Sequence, residues 1–247
     1  MSVADPYPAF DRLLDGRVAL ITGSGLGQGR AAALLMARHG ARVVVADFNE
    51  PAAHETVQML EEQGSEGLAV VVDVSARANC DEMVAKAMER FGRIDVLYNN
   101  AAVQMSGALV DCTDEQWDLT IRTNLSAIFY ACRAALPHML AGDGGSIINT
   151  ASTLGLIGSE GFAAYGAAKA GLVKLTQQIA VEYAPTVRAN VIAPGSIDTP
   201  RFRKVLDATP GSEAWIEQLT KNIPLHRLGL AEDVAAIALF LASDLSA

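Results

Sequence analysis

The chain has 247 residues, 51% of them hydrophobic and 19% charged, and its 28 acids against 19 bases give a formal charge of −9. That length and apolar content allow a large buried core in one large domain or two small ones, and exclude a disordered or short-peptide class. The acidic balance, with a pI near 4.9, argues against nucleic acid and against an anionic membrane surface as partners, because both select basic stripes.

In chain order, residues 1–15 carry Asp5, Asp11 and Asp15 and two prolines. No basic segment leads into an apolar run, so this arm is not read as a secretory signal. An apolar strand at 18–22 precedes a helix at 31–39 closed by Gly40. A second strand at 42–47 precedes a helix at 51–63 closed by Gly64, and a third strand follows at 68–73. Ser75 is the expected N-cap of a helix running to Phe91 and closed by Gly92, before a strand at 94–99. Thr113 and Gln116 have capping-box spacing and open a helix expected to pass Asn124 toward Leu140. A strand at 146–150, a long helix at 165–183 and a strand at 187–193 come next. Short helices are expected within 202–222 and a last helix at 231–242. Strands that are apolar on both faces and separated by helices imply a parallel sheet covered on both sides, with right-handed crossovers. No linker, repeat or low-complexity tract divides the chain, so 1–247 reads as one Rossmann-type, doubly wound α/β domain.

The longest apolar stretch, 234–242, is far shorter than the ~18–20 residues of a spanning helix. Cys80, Cys112 and Cys132 lack CxxC spacing and read as thiols of a reducing cytoplasm. His39, His54, His138 and His226 are widely separated, so no metal is expected.

The first strand runs directly into Thr22, Gly23, Ser24, Gly25, Leu26, Gly27, Gln28 and Gly29, and a helix follows. Glycines let the backbone approach a pyrophosphate, and helix N-terminal amides favour its charge. The second strand ends at Asp47, whose carboxylate can accept from the adenosine ribose hydroxyls and would repel a 2′-phosphate. Neither Phe48, Asn49 nor residues 24–28 supply a compensating cation, so NAD is expected over NADP. Tyr165 and Lys169 stand four apart, one helical turn from each other, where an ammonium would lower the phenol pKa.

With Asp73, Val74, the run Asn99, Asn100, Ala101 and Ala102, then Asn124, Ser152, Pro194 and Gly195 in the same order, the chain resembles the single-domain short-chain dehydrogenases/reductases from Gly16 to Ser243. The resemblance implies Tyr165 as acid/base, Lys169 on the nicotinamide ribose, Ser152 bonded to the substrate oxygen, and Asn124 holding a water that links Lys169 to solvent. It implies a cofactor site built on the glycine loop, Asp47, Phe48, Asp73, Val74, Asn100, Ala101 and Ala102, with Pro194, Gly195, Ile197 and Thr199 at the nicotinamide. Ser152, Leu154, Phe162, Tyr165 and Phe202 are the expected substrate contacts, under a lid at 200–225 that offers Phe202, Val205, Leu206, Trp215 and Leu219.

Such a site transfers hydride between NAD(H) and a secondary alcohol or ketone, expected here to be small and apolar. The alternative is a 3-oxoacyl-thioester reductase on a carrier protein or coenzyme A, against which Asp47 counts. A catalytically silent dinucleotide-binding protein is the remote alternative, disfavoured by the intact Asn124, Ser152, Tyr165 and Lys169. Arg201 and Arg203 could meet a carboxylate or a phosphopantetheine carrier, or be solvated surface residues. The resemblance also implies a homodimer or tetramer, for which Ile128, Tyr130, Leu172 and Leu175 offer helix faces that core packing explains equally well. Three departures stand out: Gln28 at a usually aliphatic position, Ala102 where glycine is usual, and no edge strand or glycine-rich tail after 241–247.

Overall fold

The computed structural model describes residues 11–208 and 211–247; the leading arm as far as residue 10, positions 209 and 210 and the Val205 and Glu213 side chains lie outside the described residues. Six parallel strands, β1 (Val18–Thr22), β2 (Arg42–Asp47), β3 (Gly67–Val71), β4 (Val96–Asn99), β5 (Gly145–Thr150) and β6 (Val187–Ile192), form one sheet in the order β3-β2-β1-β4-β5-β6. The strand order reverses between β1 and β4, which opens a crevice beyond their C-terminal ends. Thr22 of β1 lies level with both Ala46 of β2 and Asn99 of β4, so the loops leaving these strands start side by side.

The helices are α1 (Gly27–Arg38), α2 (Glu50–Glu62), α3 (Arg77–Phe91), α4 (Asp114–Ile121), α5 (Ala127–Ala141), α6 (Ala163–Tyr183), α7 (Pro200–Asp207), α8 (Ser212–Asn222) and α9 (Ala231–Ala242). Alternation along β1 sends Val18 and Leu20 into one apolar layer with Met83, Ala131 and Leu172. It sends Ala19 and Ile21 into the other layer, with Met36 and Ala238. The doubly wound α/β reading therefore holds, with both sheet faces covered. Two further strand pieces, β7 (Ile197–Asp198) and β8 (Gly229–Leu230), pair with each other and bracket α7 and α8; the sequence pattern did not signal them.

Several local expectations change. Ser75 does not cap α3: Ala76 takes the N-cap position without a side-chain bond, because Asp73 Oδ1 accepts the Ser75 amide in an Asx turn. The third strand stops at Val71, leaving Asp73 and Val74 in the following loop. The capping box of Thr113 and Gln116 forms as expected, but the helix does not run on unbroken. A π-helical turn, Arg122–Ser126, separates α4 from α5 and carries Asn124. Ile128 and Leu172 face the core, at 3% and 0% exposure, and so do not offer an outer face. Ala102 avoids the left-handed region, since His226 alone among described non-glycine residues has positive φ; the added methyl is tolerated. After α9 the described chain forms a 3-10 turn, Asp244–Ser246, held by Arg188 through Ser243 O and Ser246 Oγ.

Candidate active site

The glycine loop is held from below by the loop after β4. Asn100 Nδ2 donates to Thr22 O at 3.1 Å and Gly23 O at 3.0 Å, and the Asn100 and Ala101 amides both donate to Thr22 Oγ1. A Cβ on Gly29 would lie 2.2 Å from Gly23 O and 2.6 Å from Asn100 Nδ2, so this close approach requires glycine. α1 begins at Gly27 with Leu26 as an uncapped N-cap and no acid in its first turn, which leaves its N–H groups for an anion. Gln28 Oε1 is buried without a hydrogen-bond partner, an acceptor matched to an incoming donor. Asp47 accepts the Gly25 amide on Oδ2 at 2.8 Å and the Asn49 amide on Oδ1 at 2.9 Å. Its carboxylate is thereby aimed at the loop with lone pairs left for ribose hydroxyls.

The residues present fit a dinucleotide, and one feature bears on which. Arg30, missed by the sequence reading, places its guanidinium at this loop through Gly25 O and Thr56 Oγ1, yet it is paired with Glu55. Val74, Ala101, Thr22, Asn99, Ala127 and Ile128 line a small hollow, which brings two expected cofactor positions together. Phe48 instead projects into solvent at 78% exposure. Across the crevice Thr199 comes within van der Waals range of Gly27, its Cγ2 3.5 Å from where a Cβ would stand. Thr199 Oγ1 also accepts the Phe202 amide as N-cap of α7, and Pro194 O accepts the Thr153 amide. Ile197 lies in β7 packed toward Gly229, and Gly195 is open on the side a Cβ would occupy.

Ser152 follows the end of β5, Tyr165 lies in the first turn of α6 and Lys169 one turn on; all three are buried. Lys169 Nζ donates to Thr150 O at 2.6 Å and sits 5.6 Å from the Tyr165 ring centroid. The turn Thr153–Gly155 presses on α6 so closely that a Cβ on Gly155 would lie 2.8 Å from the Lys169 carbonyl carbon. Burial pushes the Tyr165 phenol up, against the Ser152 hydroxyl and the Arg201 charge, which pull it down. Burial also pushes Lys169 down to about 7. The expected lowering of the phenol by Lys169 is therefore not seen: a buried ammonium is itself disfavoured, and the charge acting on Tyr165 is that of Arg201. Asn124 is fully buried, donating from Nδ2 to Val103 O at 2.8 Å and Thr120 O at 2.9 Å, while Oδ1 accepts the Val103 amide. One amide hydrogen thus clamps the loop after β4 at Val103, and the other returns to Thr120 in α4.

The profile of a family described as enoyl-(acyl carrier protein) reductase matches residues 23–247. A 3-oxoacyl-acyl-carrier-protein reductase of Thermotoga maritima is 38% identical over 232 residues, 94% of this chain and 92% of its own. The chain belongs to the short-chain dehydrogenase/reductase family. A hydroxy(phenyl)methyl-succinyl-CoA dehydrogenase subunit of Thauera aromatica is likewise 38% identical over 232 residues, 94% of this chain and 91% of its own. The crystal structure of levodione reductase superposes with a TM-score of 0.90 at 33% identity, over 94% of this chain and 93% of that one. The protein is therefore an oxidoreductase of this family, and none of its described helices is long and apolar enough to cross a membrane.

Within this family frame, Leu154, Phe162 and Phe202 are half-buried around the cleft. Phe202 stacks at a tilt on Trp215, ring centroids 6.1 Å apart, joining α7 to α8. A hollow is lined by Met105, Ser106, Cys112, Gln116, Thr120 and Ala164, the last being the residue before Tyr165. The α4 contribution was not legible in the sequence, since Gln116 had already been assigned to a cap. Arg203 pairs with Asp198, so it is not available to a substrate.

Proposed function

We propose that this chain interconverts a secondary alcohol and its ketone with NAD(H), with Tyr165 as acid/base. The observation that carries the reading is the convergence of Ser152, Tyr165 and Lys169 beside a glycine loop that Asp47 closes. Bound NAD(H) would supply the hydride acceptor or donor. The chain would supply the proton: Tyr165 gives it to the ketone oxygen in reduction and takes it from the alcohol in oxidation. A phenol raised by burial carries the proton that it would give to the ketone oxygen in reduction. Ser152 would orient the same oxygen, and Lys169 the nicotinamide ribose. NAD is favoured over NADP because a 2′-phosphate would meet the Asp47 carboxylate, while Arg30 is already committed to Glu55.

The names of the relatives favour a second reading for the substrate: two that cover nearly the whole chain are named for acyl-carrier-protein or coenzyme A thioesters. Association as a homodimer or tetramer belongs to the same proposal, with Phe129 of α5 and Val181 of α6 as exposed apolar side chains that a partner would cover. The test is a panel of secondary alcohols with NAD and NADP, beside acetoacetyl-thioester reduction, in wild type and Tyr165→Phe. Tyr165→Phe is expected to abolish turnover while NADH still binds. Residual turnover above a few per cent of wild type, or activity confined to the thioester with NADPH, overturns the reading.

A further inference from the structure

Arg201 lies in the first turn of α7, two positions after the Thr199 cap. Its guanidinium spans the cleft to the loop after β4, Nη1 donating to Ala102 O at 2.7 Å and Nη2 to Gln104 O at 3.4 Å. Both acceptors are neutral backbone carbonyls, so they position the guanidinium without cancelling its charge. The neighbouring arginines differ: Arg203 pairs with Asp198, and Arg227, beyond the expected lid, with Asp233. Among the described residues no carboxylate stands within ion-pair distance of Arg201. The first turn of α7 holds no acid either, so the positive end of the helix adds to the same field. Arg201 is exposed, and its charge is one of the influences that pull the Tyr165 phenol down. The hollow further along the same loop, at Met105 and Ser106, is lined by uncharged side chains. The N–H groups of Arg201 not spent on the two carbonyls remain in a planar fork, the geometry that matches a carboxylate.

We propose that Arg201 is the anion subsite of this active site and that the substrate is a hydroxy or oxo acid carrying its carboxylate close to the reacting carbon. The proposal rests on the reading of Tyr165 as acid/base and names the substrate class for it. An arginine that only latched the lid to the loop would serve every substrate alike. One that binds a carboxylate discriminates a charged substrate from its neutral ester.

The experiment compares NADH-linked reduction of acetoacetate, methyl acetoacetate and acetoacetyl-CoA by wild type, Arg201→Lys and Arg201→Met. Wild type is expected to favour acetoacetate over its methyl ester by about ten-fold or more in kcat/KM. Arg201→Met should lose that ratio and Arg201→Lys should keep part of it. Equal losses on acid and ester would reduce Arg201 to a latch and overturn the proposal. A loss confined to acetoacetyl-CoA would assign the anion to the phosphates of the carrier, and overturns the carboxylate reading too. Malonate binding to the NADH complex, followed by cofactor fluorescence, reads the subsite without turnover. It should weaken about ten-fold or more in Arg201→Met. No malonate binding in wild type sinks the subsite even if alcohols are oxidised. Malonate binding without any turnover supports the subsite and counts instead against the acid/base reading.

Discussion

Lys169→Met exposes the cost of holding a lysine inside this fold. Lys169 is 1% exposed and its ammonium donates to Thr150 O at 2.6 Å. Burial moves it from 10.5 to about 7, a preference for the neutral amine of about 5 kcal/mol. In the unfolded chain the amine keeps its proton up to about pH 10.5, so between pH 7 and 10.5 the unfolded state binds more protons and stability rises with pH. Below pH 7 the full penalty is present, and above pH 10.5 it is gone. The slope within the window is ~1.4 kcal/mol per pH unit. Lys169→Met lacks this slope and loses the Thr150 hydrogen bond, a roughly constant offset of about 1 kcal/mol. Urea unfolding of both proteins from pH 6 to 10, without added cofactor, cancels the other titrating groups in the difference. Wild-type stability minus variant stability should be flat below pH 7 and climb by about 4 kcal/mol between pH 7 and 10. A difference that stays flat across pH 7 to 10 would refute an uncompensated buried lysine.

Asp47→Ala should raise the affinity for NADPH relative to NADH, measured by fluorescence titration, because under the proposal it removes the carboxylate that a 2′-phosphate would meet; an unchanged ratio would take Asp47 out of the discrimination. Gly29→Ala places a methyl 2.2 Å from Gly23 O, which forces the loop apart, and should weaken NADH binding about ten-fold or more while lowering the melting temperature. Wild-type affinity in that variant would show that the loop relaxes without loss.

Much of the fold is written in local pattern. The apolar run of β1, the Thr113 capping box and the glycine at Gly92, with φ 74°, depend on neighbours in sequence, and each forms as its residues predict. The glycine loop, Asp47 and the Tyr165 to Lys169 spacing are legible for the same reason: each is a pattern of particular residues at short separations. Ser75 failed as a cap because Asp73, two residues back, captured its amide. The π turn at Asn124 has no local signature; it is stabilised by bonds from Asn124 to Val103, on a loop from another strand. Burial sets the pKa values of Tyr165 and Lys169, and burial belongs to the assembled α6 and β5 rather than to either segment alone. Arg201 is only one of two arginines near an expected lid until the fold gives Asp198 to Arg203 and bonds Arg201 to the carbonyls of Ala102 and Gln104. Family, sheet and cofactor loop thus follow from short-range patterning. Charge pairing and desolvation depend on distances between segments far apart in the chain, and these set the character of the site.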